Sequence, residues 1–321
     1  MKTRQVYFNG KFVDENQAKV SIYDSSLMFG DMVFEMTRSF NKKQFKLEEH
    51  IDRLLAGLKI LEINLDKSKS EIIDICLATQ EINESLFNDD DEHRLMIDVS
   101  RGTLGIYKEI DGLWHEPNLI VADFPLRWTV AGMSELFIEG INAVITSQRA
   151  IPSELLDPKI KNRSRIHYLR ANIEVSKMSG QRNWALLLDT EGNISEGTGD
   201  NFFIVKNNIL ITPPGKNILR GVSRDYVITI LAEQLNIEVQ EKNIDIYDVY
   251  TADEAFMTGT PFCMLPVTSI NSVPIGNGQV GFIFDKLLST WSKNVGLDIK
   301  EQILKWDKGN VPKGPTPYKF K

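Results

Sequence analysis

The sequence predicts an α/β or α+β protein in two domains, with mixed sheets rather than a doubly wound parallel one. Three observations predict it. The chain of 321 residues is about two domains long at roughly 150 residues per domain. Segments of strand and helix period alternate in both halves, and several strands are joined by turns too tight for a helical crossover.

The first element is a hairpin, Val6-Tyr7-Phe8 and Lys11-Phe12-Val13 around Asn9-Gly10, a pair that tolerates the positive φ such turns require. A second hairpin is expected from Phe34 to Phe40 and Gln44 to Leu47, flanking Asn41-Lys42-Lys43. Leu47, Ile51, Leu54, Leu55, Leu58 and Leu61 recur at helical spacing, and Ser70 to Ile82 forms a further helix. Leu95 to Val99 and Leu119 to Ala122 read as buried strands, preceded by an acidic run, Asp89-Asp90-Asp91-Glu92, expected as a solvated loop rather than a metal site. The stretch from Phe124-Pro125 to Gly132 has no period and contains both Pro and Gly. It sets the expected domains: a small one over 1–124, a linker over 125–133, and a larger one over 134–321. There the pattern gives strands Ile141 to Ile145, Trp184 to Leu188, Phe202 to Val205, Ile209 to Thr212 and Glu254 to Met257. Its helices are Ile166 to Met178, Arg224 to Leu235 and roughly Phe282 to Val295.

Composition narrows the function. Hydrophobic residues make up 42% and charged residues 25%, ordinary for a globular protein. With 37 basic against 44 acidic residues, net −7, the chain lacks the concentrated positive surface that grips nucleic acid. No apolar stretch approaches the roughly 18 residues of a membrane span, and no signal-peptide core is present, so the expected compartment is the cytoplasm. Two cysteines, Cys76 and Cys263, rule out a disulfide framework and a multi-cysteine zinc site; Cys76 lies in an apolar helical stripe as a small core residue. The four histidines, His50, His93, His115 and His167, are scattered and read as structural or surface residues, and no metal site is expected.

Several clusters could carry chemistry. Leu219-Arg220-Gly221-Val222-Ser223-Arg224-Asp225 runs from a turn into a helix, with Ser223 as a candidate N-cap at an anion-attracting start. Thr258-Gly259-Thr260 offers two hydroxyls after a strand. Arg53 sits beside the stripe of the first long helix, and Glu196 stands in the Gly-rich corner Ile194-Ser195-Glu196-Gly197-Thr198-Gly199-Asp200-Asn201.

Taken in order, these clusters resemble the class IV (fold type IV) pyridoxal-phosphate aminotransferases, a group of branched-chain aminotransferases, D-amino-acid aminotransferases and aminodeoxychorismate lyases. The resemblance runs from about Tyr7 to Trp291. It includes Asn9-Gly10, Asp24, Phe29-Gly30-Asp31-Met32-Val33-Phe34-Glu35, Arg38 and His50-Ile51-Asp52-Arg53-Leu54. In the second half it includes the Glu196 corner, Gly221-Val222-Ser223-Arg224-Asp225, Asp253-Glu254, Thr258-Gly259-Thr260 and Pro266-Val267.

The resemblance implies a two-domain fold type IV enzyme that uses pyridoxal 5′-phosphate. It implies that Arg53, Val222, Ser223 and Thr260 hold the cofactor phosphate, a dianion suited to a guanidinium and a helix start together. Glu196 would pair with the pyridine nitrogen, supported by Asn201. The family lysine lies some 13 residues before a helix glutamate, here Glu174; Lys161 fits, with the spacing to Gly180 also kept, and Lys159 competes. That lysine would carry the cofactor and serve as general base. The Asn-Tyr pair common after the lysine is missing from Asn162-Arg163-Ser164-Arg165-Ile166-His167-Tyr168, which leaves Tyr168 and Arg165 as candidates to hold the cofactor's phenolic oxygen.

Phe34, Arg38, Tyr107, Gly259, Pro261 and Phe262 are candidates to shape the substrate pocket. The stretch Arg101 to Lys108 lacks the Arg-x-His of D-amino-acid enzymes, and Arg94-Leu95-Met96 departs from the Tyr-x-Arg of branched-chain ones. The expected reaction is transamination of a branched-chain-like L-amino acid with 2-oxoglutarate. A D-amino-acid aminotransferase, an aminodeoxychorismate lyase and a non-catalytic metabolite-binding homologue are the alternatives. The expected partners are a small amino acid and a 2-oxo acid, without nucleic acid or membrane, and the resemblance implies a homodimer.

Overall fold

The computed structural model describes residues 3–110, 112–113, 116–180 and 182–307; His115 lies outside them. The chain forms two compact units. The first runs through Trp128 and takes in Ile160–Arg165; the second holds Thr129–Lys159 and the chain from Ile166 on.

Among the described residues of the first unit, five antiparallel strands form a sheet in the order Lys11–Asp14, Gln5–Phe8, Asn118–Pro125, His93–Ser100, Met32–Met36. The Asn9-Gly10 turn has φ of 48° and 92°, as the hairpin demands. Helices Leu47–Ile60 and Lys69–Asn83 lay their apolar stripes on this sheet, with Ile51, Leu54, Ile72 and Cys76 fully buried beside Leu95, Ile97 and Val121. Burial pushes the Cys76 thiol up to about 12, so it behaves as a small apolar group.

The expected second hairpin is divided. Met32–Met36 pairs with His93–Ser100, only Ser39–Phe40 and Lys43–Gln44 pair with each other, and Leu47 already belongs to the helix. The turn is Asn41-Lys42, both at positive φ, and Glu92 pins it by accepting both backbone N–H groups at 2.8 and 3.0 Å. The acidic run therefore departs from the solvated loop expected of it. Asp89 and Asp90 are exposed, whereas Asp91 and Glu92 are buried, because turn N–H groups and the Arg127 side chain need their oxygens.

Ile160–Arg165 joins this unit by strand-like pairing. Phe34 N–H donates to the Lys161 carbonyl at 2.9 Å, Arg163 N–H donates to the Met32 carbonyl at 3.1 Å, and Val33 bridges Asn162. Arg163 is salt-bridged to Asp98 at 2.7 Å. The Ser164 hydroxyl donates to the Phe29 carbonyl, close against Gly30, whose φ of 68° ends the helix Ser25–Phe29 and where a Cβ would stand 2.5 Å from Ser164 Oγ.

The second unit carries a mixed sheet whose ladder closes on itself. Ile194–Gly197, Asn183–Leu188, Ile141–Ile145, Cys263–Ile270, Glu254–Gly259 and Asn201–Lys206 pair in turn, and Glu196 pairs back to Asn201. Two of these pairings are parallel and the rest antiparallel. Ile209–Thr212 and Val239–Glu241 extend the sheet from Asn201–Lys206. Helix Ile166–Ser176 packs Ala171 and Val175 on Ala185 and Leu187, and helix Phe282–Val295 buries Phe284 and Trp291. Strand Cys263–Ile270 escapes the sequence pattern because Pro266 interrupts it; the parallel ladder to Ile141–Ile145 begins only at Val267. Among the described residues no helix is long and apolar enough to cross a membrane.

His93 of the first unit is wholly buried, its Nδ1 2.7 Å from Asp123 and its Nε2 2.6 Å from Glu84, with Phe87 stacked on the ring. Burial pushes the imidazole down, but the two carboxylates outweigh it and raise its pKa; burial likewise raises the Asp123 carboxyl to about 6. Lys42 faces Glu84 at 3.3 Å, and Arg4 acts on Asp123. A group whose pKa rises on folding stabilises below its unfolded value, about 6.5 for His, and loses that contribution as pH climbs through the folded value. Buried His50, with a lowered pKa, acts in the opposite sense, so the variant difference is the useful measure. The Tm deficit of His93→Gln relative to wild type is expected to be larger at pH 5.5 than at pH 8.5 by about 2–4 °C. Equal deficits at the two pH values would remove the charged imidazole from the account.

Candidate active site

In the first unit, strand Met32–Met36 presents Glu35 to helix Leu47–Ile60. His50 and Arg53 stand three residues apart on that helix, hence on one face, and both reach Glu35. Arg53 Nε donates to Glu35 Oε1 at 2.6 Å and Nη2 to Oε2 at 2.8 Å, a bidentate fork; His50 Nδ1 lies 2.7 Å from Oε2. Burial pushes the Glu35 carboxyl up, but the Arg53 charge and then His50 pull it the other way and hold it far below the usual carboxylate range. Burial lowers the His50 pKa, with Arg53 and Lys161 acting in the same direction and Glu35 opposing them.

Lys161 lies on the short paired segment with its Nζ 4.9 Å from the Phe34 ring centre; the guanidinium of Arg163 is 3.7 Å from the same ring and that of Arg165 is 5.5 Å away. Phe34 is therefore a buried apolar face ringed by cations. Arg38 is buried, stacks on Phe40 at 3.8 Å and donates from Nε to the Ser39 carbonyl. Tyr107 belongs to the turn Gly105–Tyr107 and packs on Tyr23 at 4.8 Å.

In the second unit Glu196 is buried at the closing hairpin of the sheet. Its Oε1 accepts from the Tyr168 hydroxyl at 2.8 Å, and its Oε2 from Asn201 Nδ2 at 3.1 Å and Leu219 N–H at 3.0 Å. Helix Val222–Tyr226 begins two residues earlier than the sequence pattern places it. Gly221 is the N-cap and makes no side-chain cap bond, so Ser223 lies inside the first turn and does not cap. A Cβ on Gly221 would come within 2.1 Å of Asn201 Oδ1, so only glycine lets the helix start lie this close to the residue bracing Glu196. Strand Glu254–Gly259 runs on past its expected end into Thr258 and Gly259, with Thr258 opposite Asn201; Thr260 and Pro261 follow in the turn, and Phe262 is buried against Trp184. The Thr258 hydroxyl is buried without a hydrogen-bond partner among the described residues. Lys159 Nζ is held by Asp157 at 2.8 Å and the Lys216 carbonyl at 3.0 Å. Glu174 accepts from the Ser147 N–H and hydroxyl.

The amino-transferase class IV family model matches residues 32–270, about three quarters of the chain. The chain belongs to the class IV aminotransferases. A putative branched-chain-amino-acid aminotransferase of Methanocaldococcus jannaschii is 39% identical to this aminotransferase over 284 residues, 88% of this chain and 93% of that protein. The branched-chain aminotransferase of Thermoproteus uzoniensis, solved with norvaline, matches with a TM-score of 0.80 at 29% identity, covering 95% of this chain and 98% of that one. The T.th. branched-chain amino acid aminotransferase, solved with N-(5′-phosphopyridoxyl)-L-glutamate, matches with a TM-score of 0.79 at 25% identity over 96% and 98% of the two chains.

Class IV aminotransferases use pyridoxal phosphate, and the donor set of this enzyme suits that group. A buried carboxylate with fixed oxygens matches a protonated ring nitrogen, and an unpartnered buried hydroxyl together with a glycine-opened helix start matches an anion. Two participants carry no functional role in the sequence pattern: Glu35, which stands only within a motif, and His50, which reads as structural. The spacing of three between His50 and Arg53 is the signal available for both, because it aims two donors at one point.

Proposed function

We propose that this aminotransferase exchanges the amino group of a branched-chain L-amino acid with 2-oxoglutarate. The observation that carries the substrate class is the near end-to-end match to the M. jannaschii protein, which bears the name of a branched-chain enzyme. The phosphopyridoxyl-glutamate held by the T.th. enzyme supports glutamate and 2-oxoglutarate as the second pair. An apolar donor side chain suits the buried Phe34 face, and we assign Phe34, Arg38, Tyr107, Gly259 and Pro261 to shaping its pocket.

Pyridoxal phosphate, when bound, supplies a conjugated ring that takes up the electron pair left behind by a departing α-proton. The remaining work belongs to the chain. Arg53, the backbone at Val222 and Ser223, and Thr260 would each bind the phosphate. Glu196, held in place by Tyr168, Asn201 and Leu219, keeps a proton on the ring nitrogen. Lys161 would anchor the cofactor through Nζ and, once freed, serve as the base that accepts the substrate α-proton and gives it back. Lys159 is the poorer candidate because Lys161 keeps the family spacing to Glu174 and Gly180. The family resemblance supports a homodimer.

A panel of amino donors tests the substrate class. With 2-oxoglutarate, L-leucine, L-isoleucine and L-valine are expected to exceed D-alanine in kcat/KM by at least about 100-fold, the scale on which a site built for one geometry rejects another. Faster turnover of D-alanine, or release of pyruvate from aminodeoxychorismate at the higher rate, would move the enzyme to another branch of its class.

A further inference from the structure

Glu35 is a carboxylate with no exposed surface, set on a strand whose other inward residue, Val33, is apolar. An apolar residue there would pack without the desolvation that a buried ion pair entails, so the pair serves geometry more than stability. Its geometry is specific. The Arg53 guanidinium meets Glu35 through Nε and Nη2, one edge of the plane, and this two-point contact fixes both the plane and its rotation. His50, one turn before Arg53, approaches the Glu35 oxygen that also receives Nη2, so the carboxylate cannot rotate without losing both partners. The Arg53 side chain keeps 12% of its surface exposed, whereas those of Glu35 and His50 keep 0% and 1%. The buried carboxylate and imidazole thus grip an arginine whose side chain is itself partly exposed.

We propose that Glu35, braced by His50, is a positioning residue that fixes the direction in which Arg53 meets the cofactor phosphate. This rests on the assignment of Arg53 to the phosphate. The arrangement also accounts for His50 within the His50-Ile51-Asp52-Arg53 segment: the two donors of one helical face converge on one strand carboxylate. A lysine at position 53 would keep the charge but lose the fork, and a glutamine at position 35 would keep the shape but lose the doubly accepting edge.

The test follows cofactor release from the holoenzyme, read as loss of visible absorbance on dilution, together with the 31P NMR signal of the bound phosphate. Glu35→Gln is expected to speed release at least about tenfold, the scale of a lost charge-assisted hydrogen bond, and to move the 31P resonance while the KM for the amino donor stays within about twofold. Arg53→Ala is expected to speed release at least as much, and adding Glu35→Gln to it should change release by less than about twofold, because the second residue acts through the first. If Glu35→Gln does not fold, Glu35→Asp, one methylene too short for the fork, takes its place in the same cycle. Wild-type release in Glu35→Gln beside fast release in Arg53→Ala overturns the positioning role alone, as do additive effects in the double variant. Wild-type release in Arg53→Ala overturns the phosphate assignment and the positioning role with it.

Discussion

Replacing Lys161 by alanine is expected to lower turnover by about 10⁴-fold or more, whereas Lys159→Ala stays within a few-fold of wild type. General base catalysis contributes about 10²–10⁴-fold, and Lys161→Ala removes the cofactor's anchor as well. Lys159 contrasts physically. Its ammonium is bonded to Asp157 and to the Lys216 carbonyl, and it lacks the spacing to Glu174 and Gly180 that Lys161 keeps. Lys161 instead projects from a short paired segment beside the Phe34 ring and within electrostatic reach of His50. Steady-state rates with L-leucine and 2-oxoglutarate measure the loss, and borohydride fixation followed by peptide mapping identifies the lysine that bears the cofactor. A label on Lys159, or near-normal turnover in Lys161→Ala, would exchange the roles of the two lysines or remove both.

Glu196→Gln is expected to reduce kcat by about 10²–10³-fold with KM changed by less than about tenfold, the pattern of a lost electrostatic contact that matters most as charge develops. Glutamine preserves the volume of the buried side chain. Its carbonyl oxygen can still accept from Asn201 and Leu219, and the Tyr168 hydroxyl can turn to accept from the new amide, so the closing hairpin keeps its bonds. What glutamine lacks is the negative charge proposed to hold a proton on the ring nitrogen. Circular dichroism and thermal denaturation separate the two effects: an unfolded or strongly destabilised variant would assign Glu196 to the hairpin, and a folded one with near-normal kcat would deny it the electronic role.

Much of this enzyme is encoded locally. The strands Ile141–Ile145 and Ile209–Thr212 and the helix Phe282–Val295 fall where the periodicity places them, because each carries its buried apolar residues within its own short stretch of chain. Turns are equally local, as the positive φ of Asn9-Gly10 shows. Cys263–Ile270, central to the second sheet, is legible only through its neighbours, since Pro266 argues against a strand until it is seen opposite Phe256 on one side, with the ladder on the other side starting only at Val267. The helix Ile299–Asp307 and the short helix Ile246–Tyr250 carry patterns too brief to stand out.

The order of motifs along the chain, from Phe29-Gly30-Asp31 through His50-Ile51-Asp52-Arg53 to Thr258-Gly259-Thr260, was enough to assign the class and its cofactor, because a reaction constrains residue types and spacing together. Folding alone settled which side chains meet. It carried Ile160–Arg165, and Lys161 with it, onto the strand Met32–Met36, more than a hundred residues earlier in the chain. It joined Glu35 to Arg53, 18 residues apart, and Tyr168 to Glu196, 28 residues apart. Hydrophobic period is a property of neighbouring residues and survives in any fold, whereas an ion pair or hydrogen bond exists only once backbone segments distant in sequence have packed and excluded water from between the partners.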